Sequence, residues 1–238
     1  MEPMESFGER DQVATYIQGE DSLEDEIAVL SDETIELGLY AEDIFKNASA
    51  ALYPEALDAA HFAIETERVA TQLHHSIHQT ALTILARHMP ASDQLRRIVE
   101  LQQIATEFAR IAEDGRLIAD HALWLAGAAE NELSLLGEGG VHLLVSILRQ
   151  TYVEVRGSVV VTTVRGTSMA RRLLAEDTEL DRLFLSYKSL LEATIGAYPR
   201  NVARLQRLLL VGVSLEDIGN HAAAICRTIL YVPPQIVG

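Results

Sequence analysis

Cysteine is almost missing from this chain, and long uninterrupted apolar runs are missing too. The single cysteine, Cys226, excludes an internal disulfide and fits a reducing compartment. We find no apolar run of the roughly 20 residues that a membrane-spanning helix needs. The acidic opening MEPMESFGERDQ also lacks the apolar centre of a signal peptide. We therefore expect a cytoplasmic protein that does not insert directly into a membrane.

Basic residues are scarce as well, since 19 lysines and arginines stand against 35 acids and the net charge is −16. Such a surface repels the phosphates of nucleic acids and of anionic membranes, so we expect no nucleic-acid partner. It suits cations and basic partner surfaces instead. Apolar residues make up 48% of the 238 residues, which is typical of a globular chain with a substantial core.

The six prolines and 14 glycines stand at wide intervals, and between them apolar residues recur at steps of three and four. That period is typical of amphipathic helices, and the wide spacing predicts few, long helices, as in a bundle. The segment GSVVVTTV at 157–164 favours a strand locally. Because it would have no partner strand, we expect tertiary contacts to hold it in a helix. The clearest apolar stripes are Leu23, Ile27, Leu30, Ile35 and Leu39, and then Leu95, Ile98, Leu101, Ile104, Phe108 and Ile111.

The chain also repeats itself at an offset of about 110 residues. Residues 60–69 match 170–180, residues 87–98 match 196–208, and residues 107–115 match 213–222. Three matches in one order predict two copies of a three-helix unit, and hence an all-α fold of two tandem three-helix bundles. The predicted parts are a flexible acidic extension at 1–21, a first repeat at 22–136, a linker at 137–140, a second repeat at 141–232 and a tail at 233–238.

These motifs resemble those of the PhoU family of phosphate-uptake regulators. The stretch SLEDIGNHAAAICRTILYV is similar to the family signature near L-E-R-I-G-D, and LLAEDTELDRLF is similar to its acid-x-x-x-D motif on the middle helix. In the first repeat, FARIAEDG and FAIETERVAT resemble the counterparts, and LARHMPASDQLRRI resembles the proline turn between the middle and last helices. The resemblance extends over residues 22–232.

The resemblance implies a cytoplasmic, non-enzymatic regulator. Members of the family act with the phosphate ABC transporter and a two-component sensor kinase, and they keep the phosphate-starvation response repressed when phosphate is plentiful. The resemblance therefore implies a homodimer whose partners are the transporter ATPase and the kinase. Some members hold clusters of iron or other metals on the acidic motifs, so iron or another divalent metal is the implied cofactor.

The second repeat keeps most of the acids that such a metal site needs. Carboxylates four residues apart lie on one helix face, and two facing pairs offer several oxygen ligands to a hard cation. Asp177 and Asp181 keep the middle-helix motif. Glu216 keeps the acid of the signature, while Asn220 stands where the family has Asp. Because an amide oxygen is neutral, the site is expected to be weaker.

The first repeat departs further from the motif. Glu67 keeps the acid of the middle helix, but Thr71 follows it where the family has Asp. On the last helix Ala109 replaces the acid, and Glu113 holds the position of the Asp. Glu67 and Glu113 are therefore the first-repeat ligands that the resemblance implies. Acid pairs at this spacing are also common on solvated helix faces, and plain surface charge stays open as the alternative in both repeats.

A second hypothetical metal site lies on the middle helix of the first repeat. Glu67, His74 and His78 follow at helical steps, so they share one face, and neutral imidazoles bind zinc or iron. A fourth ligand would have to come from elsewhere. The alternative is that these are ordinary surface histidines. His221 and Cys226 are predicted as a hydrogen-bonded helix histidine and a buried small residue, and Gly219 as a point of close helix approach.

Three other functions compete with phosphate control. A di-iron carboxylate enzyme would need Glu-x-x-His pairs, and no histidine here has Glu three residues before it; Asp58 before His61 comes nearest. A histidine phosphotransfer module could use His74 or His75, but their neighbourhood is not basic. A helical interaction scaffold, or a metal-binding protein without a role in phosphate control, stays open because the motifs are incomplete.

Overall fold

The structure is a computed structural model that describes residues 22–127 and 135–231. The described residues contain helices and no strand, so the predicted all-α fold is confirmed. The predicted extension at 1–21 and tail at 233–238 lie outside them. Short 3-10 turns, Pro54–Ala56 and Pro199–Asn201, precede the second and sixth helices. The helices are α1 (Leu23–Ala50), α2 (Leu57–His88), α3 (Ser92–Ala126), α4 (Gly137–Val164), α5 (Thr167–Ala197) and α6 (Val202–Leu230).

Each half of the chain forms a three-helix bundle, as predicted. Helices α1, α2 and α3 pack on one another, and so do α4, α5 and α6. The halves meet along a seam where α3 packs on α6 and α1 packs on α4. Helices α3 and α6 run antiparallel, because Glu107 contacts His221 while His121, further along α3, contacts Arg207, earlier in α6. The outer helices α2 and α5 then cover opposite sides.

Ten of the twelve buried positions of α3 recur as buried positions of α6 at a constant offset of 107 residues. Because the spacing is the same along both helices, residues 95–123 of α3 have counterparts at 202–230 in α6. The main apolar core is continuous through both halves, and a smaller separate cluster of Val161, Ala170, Leu173 and Cys226 lies within the second bundle. Three fully buried pairs at this offset are Ile98 and Leu205, Leu101 and Leu208, and Phe108 and Leu215.

Two glycines let large aromatic rings approach a helix backbone. A Cβ added at Gly38 would lie 2.8 Å from Phe108 Cζ, and one at Gly212 would lie 2.9 Å from Tyr187 Cε1. Tyr187 is fully buried, and its hydroxyl donates a hydrogen bond of 3.2 Å to the Leu208 carbonyl. Each ring therefore fills the space that a side chain would take, which ties α3 to α1 and α5 to α6.

The β-branched segment at 157–164 is helical, as expected, and forms the end of α4. Its buried hydroxyls are satisfied inside the helix: Ser158 Oγ donates to the Val155 carbonyl over 2.7 Å, and Thr162 Oγ1 donates to the Ser158 carbonyl over 2.9 Å. A Cβ added at Gly157 would lie 2.7 Å from Leu173 of α5. Burial against α5 and α6 thus outweighs the local strand preference.

Residues 137–140, predicted as a linker, instead form the first turn of α4. Gly137 has a φ of +64°, which favours glycine at the entry to the helix. Gly140 is buried, and a Cβ there would lie 3.1 Å from Leu190 of α5. These glycines therefore serve helix entry and packing, and the connection between α3 and α4 falls before residue 137. The other predicted boundaries stay predictions.

Two members of the predicted apolar stripes face solvent. Leu39 is 51% exposed and Leu95 is 42% exposed. In α1 the buried stripe runs instead through Leu30, Leu37 and Ile44. The exposure of Leu95 leaves an apolar surface at the start of α3.

Helix α6 together with the turn before it, Pro199–Leu230, has the length and composition of a candidate membrane span, because an 18-residue window within it has a mean hydropathy of 1.3. Isolated charges interrupt its apolar residues, so it contains no uninterrupted apolar run of that length and qualifies only on the average over a window of 18 residues. More than half of the apolar window, 56%, is buried within the fold. Since α6 packs on α3, α4 and α5, a core helix of the bundle explains this composition.

Candidate functional site

Gly219 brings the two motif-bearing helices of the second repeat close together. A Cβ added there would lie 2.2 Å from Leu180 Cδ2, and Leu180 is almost completely buried. Leu180 stands in the α5 turn between positions 177 and 181, and Gly219 stands in the α6 turn between positions 216 and 220. The predicted close approach at Gly219 is therefore confirmed, and the two motifs lie on adjoining turns of neighbouring helices.

The side chains of these motifs differ in exposure. Asp181 and Asn220 are exposed, Glu216 is half-buried, and the side chain of Asp177 lies outside the described residues. Among the side chains that the structure describes, no group of three His, Cys, Asp or Glu is arranged to hold a metal. The four-ligand set in the second repeat includes Asp177 and an asparagine, and it stays a prediction.

The first-repeat motif is already engaged by a cation of the protein itself. Glu67 of α2 accepts a hydrogen bond of 2.7 Å from Thr71 Oγ1, and its other oxygen lies 3.8 Å from Arg116 Nε of α3. Glu113 is exposed one turn before Arg116. A bound metal ion would have to share this carboxylate with the guanidinium, which repels it. Arg116 also pairs with Asp120, and Glu67 and Glu113 stay predicted ligands for which this guanidinium would compete with a metal ion.

The histidines of α2 differ in their surroundings. Burial, with the charges of His75 and His78, lowers the pKa of His74, so this imidazole is neutral at pH 7. The rings of His74 and His75 have centroids 6.0 Å apart. His78 Nδ1 accepts a hydrogen bond of 3.2 Å from the Gln102 amide of α3. The hypothesis of a site at Glu67, His74 and His78 stays a prediction, and the contacts of Glu67 weaken it.

A polar cluster between α3 and α6 was not predicted. We name Glu107, Asp114 and His221 the seam cluster. His221 Nδ1 lies 2.7 Å from Glu107 Oε2, and His221 Nε2 lies 3.6 Å from Asp114 Oδ2. Asp114 of α3 and His221 of α6 hold equivalent positions, because they are 107 residues apart. Their contact therefore lies where equivalent turns of the two repeats meet. His221 is hydrogen-bonded, as predicted, but the sequence analysis did not predict its partners.

In the seam cluster two carboxyl groups flank the His221 imidazole, and their pKa values are shifted in opposite directions. Burial raises the pKa of Asp114 to about 6; His221 opposes this shift, while Asp217 and Glu113 add to it. The hydrogen bond from His221 lowers the pKa of Glu107, against the effect of burial. Glu107 is therefore the ionised acceptor, and Asp114 exchanges its proton near pH 6.

A second polar cluster crosses the seam between α1 and α4. Glu42 is 4% exposed, and its Oε1 accepts hydrogen bonds of 3.1 Å from the Tyr152 hydroxyl and from Arg156 Nη1. Lys46 Nζ lies 2.8 Å from the same oxygen. Burial alone would raise the pKa of Glu42, but the hydrogen bonds and the Lys46 charge outweigh it and the pKa is lowered. Glu42 is thus a buried anion that ties the two repeats together.

Comparison with known proteins confirms the predicted resemblance. A model of the PhoU domain matches residues 34–122, which lie within the first repeat. The chain is 25% identical over 211 residues to the "Phosphate-specific transport system accessory protein PhoU homolog" of Rhizobium meliloti (strain 1021), covering 89% of this chain and 86% of that protein. It is 24% identical to the protein of the same description from Pseudomonas putida, covering 87% and 78%.

The fold is shared with solved PhoU structures. The crystal structure of PhoU from Pseudomonas aeruginosa superposes with a TM-score of 0.80 at 22% identity, over 87% of this chain and 96% of that one. The phosphate transport system regulatory protein PhoU from Streptococcus pneumoniae gives a TM-score of 0.74 at 19% identity, over 88% and 96%. Both likenesses extend over the two repeats, so the second repeat shares the fold as well.

Proposed function

We propose that this protein, which is similar to members of the PhoU family, is a cytoplasmic, non-enzymatic regulator that keeps the phosphate-starvation response repressed while phosphate is plentiful. It acts through contacts with the ATPase of a phosphate ABC transporter and with a sensor kinase, as a homodimer. The observation that carries the proposal is the extent of the likeness. The chain spans 86% of a relative described as an accessory protein of a phosphate-specific transport system, and both repeats are present.

The seam supports regulation through shape rather than through chemistry. The titratable groups of the seam cluster and of Glu42 join the halves across helices. The two repeats also share the main apolar core, and a partner that binds one arrangement of the repeats better than another would shift the population toward that arrangement. A regulator of this kind needs differential contacts with two states of its partner and no reaction of its own.

A divalent metal such as iron belongs to the proposal only in the second repeat. Asp177, Asp181, Glu216 and Asn220 would hold it with oxygen ligands between α5 and α6, where Gly219 keeps the helices close. When bound, it would cross-link these two helices. In the first repeat Arg116 provides the positive charge at Glu67 instead.

The experiment that tests the regulatory function is a gene deletion in the host, grown in phosphate-rich medium. Secreted alkaline phosphatase measures the phosphate-starvation response. The proposal predicts high output in the deletion and low output again when the gene is returned on a plasmid. Low output in the deletion, with a normal rise when phosphate is withdrawn, would contradict the proposal and favour a helical scaffold without a role in phosphate control.

A further inference from the structure

An open groove with a volume of about 560 Å³ lies between the start of α3 and the end of α6. Leu95, Val99 and Tyr231 give it an apolar floor, and Arg96 and Arg227 stand at its edges. These apolar side chains keep between 40% and 68% of their surface exposed, so the groove is a trough and not an enclosed cavity. We name it the α3–α6 groove.

The opposite end of the same seam shows how the fold fills such a groove. At the 107-residue offset, Trp124 is the counterpart of Tyr231, and Arg207 is the counterpart of Glu100. Arg207 lies over the Trp124 ring, 4.9 Å from its centre, and its Nη1 donates to His121 Nδ1 over 3.1 Å. There the chain covers part of its own aromatic ring, and Trp124 stays 44% exposed.

In the α3–α6 groove this cover is missing from the described part of the chain. Glu100 accepts from Arg97 over 2.9 Å and from Arg165 over 3.1 Å, so its carboxylate is turned to those arginines. Tyr231 is accordingly 68% exposed, against 44% for Trp124. An apolar surface of this kind, rimmed by charged residues, is typical of a site that a partner covers.

The charge around the groove is the reverse of the charge of the whole protein. Arg96 and Arg227 line it, and Arg97 and Arg165 lie beside it in ion pairs with the lining acid Glu100. Asp93 pairs with Arg96, and the charge of Arg227 acts on Glu107. Elsewhere acids dominate, because the net charge is −16. A basic rim in such a chain favours a partner whose own surface is acidic.

We propose that the α3–α6 groove docks an acidic amphipathic helix of a partner protein. The α3 side runs from residue 92 to residue 103, about 17 Å at 1.5 Å per residue, or three helical turns. A helix laid in the trough would rest its apolar stripe on Leu95, Val99 and Tyr231. Its carboxylates would reach Arg96 and Arg227 at the rim. The inference rests on the proposed function, because it assigns the contact surface of one signalling partner.

The test uses the full-length protein and two labelled peptides of about 15 residues, each with a leucine stripe at helical spacing. One carries glutamates beside the stripe, and its twin carries lysines at the same positions. Fluorescence anisotropy measures binding to both. We expect the glutamate peptide to bind at least about tenfold more tightly than the lysine peptide. The double variant Arg96→Glu/Arg227→Glu should weaken the glutamate peptide about tenfold and improve the lysine peptide.

The matched control is Arg149→Glu/Arg200→Glu, which changes the net charge equally at two exposed positions outside the groove. It should leave the preference for the glutamate peptide unchanged. Val99→Asp should remove binding through the apolar floor, and thermal melts of every variant confirm that it is folded. Equal binding of the two peptides, or equal effects of the groove and control variants, overturns the proposal.

Two other occupants are outcomes that also overturn it. If neutralising the six acids of residues 1–21 to amides strengthens peptide binding about tenfold or more, the chain's own acidic segment is the competitor. If Val99→Asp dissociates a dimer in sedimentation, a second copy occupies the groove. The failures remain separable from that of the regulatory function. A groove variant that fully restores repression in the deletion strain sinks the docking proposal alone, whereas a silent deletion sinks the function.

Discussion

Replacing Asp114 by asparagine should change how the stability of the protein depends on pH. Asp114 is mostly buried in the seam, and burial raises its pKa from 3.8 to about 6. Between these two values the folded state binds more protons than the unfolded state, so stability falls as the pH rises. The contribution is fully present below pH 3.8 and is lost as the pH passes through about 6. Asparagine keeps the size and hydrogen-bonding oxygen but cannot ionise.

The size of the effect follows from the two pKa values. Well above both, the ionised Asp114 costs about 3 kcal/mol of unfolding free energy, at about 1.4 kcal/mol per tenfold change in proton affinity. Between pH 4.5 and pH 7 the loss is about 2 kcal/mol by the same relation. Glu42 and Glu107, whose pKa values are lowered, act in the opposite sense at lower pH. They remain in both proteins, so the difference between the two proteins isolates Asp114.

The assay is urea denaturation followed by circular dichroism at a series of pH values and constant ionic strength. The unfolding free energy of Asp114→Asn minus that of the wild type should increase by about 2 kcal/mol from pH 4.5 to pH 7. Glu192→Gln, which removes an exposed carboxylate of α5, should run parallel to the wild type. Parallel curves for Asp114→Asn would refute the burial of this carboxyl group in the seam.

Three further predictions test the packing and the second-repeat site. Gly219→Val drives a branched side chain into Leu180 and should lower the unfolding free energy by about 2–3 kcal/mol. Gly196→Ala, where a Cβ meets open space, should raise it by up to about 1 kcal/mol. Equal urea midpoints for the two variants would contradict the close contact at Gly219. Glu42→Gln removes the charge of the α1–α4 tie and should cost about 1–2 kcal/mol, and an unchanged melting temperature would show that the tie contributes nothing. Asn220→Asp adds a charged ligand and should tighten iron or magnesium binding about tenfold in calorimetry; an unchanged Kd removes Asn220 from the site.

The helices and the repeat could be predicted because both are visible as patterns along the sequence. Apolar residues at steps of three and four give a helix face, and proline and glycine mark its ends. The same pattern does not say how wide the buried sector is. Leu39 and Leu95 therefore look like core residues in the sequence and are exposed in the fold. The segment 137–140 was predicted to be a linker because a glycine-rich linker and a glycine-rich start of a helix have the same composition.

The seam cluster could not be predicted from spacing, because Glu107 and His221 are 114 residues apart. A signal existed in the repeat itself, since Asp114 and His221 hold equivalent positions and such positions meet when two repeats pack about a two-fold axis. The first-repeat motif shows the converse. Arg116 is visible in the sequence three residues after Glu113, but only the packing of α2 on α3 brings it to Glu67.

The most direct test of the central claim is to measure whether the protein binds the ATPase of the phosphate transporter. The chain would be affinity-tagged at its own locus, purified from cells grown in phosphate-rich medium, and the co-purified ATPase quantified by mass spectrometry against the ATPases of unrelated transporters. The proposed function predicts selective enrichment of the phosphate transporter ATPase. Recovery no higher than that of the unrelated ATPases would contradict it.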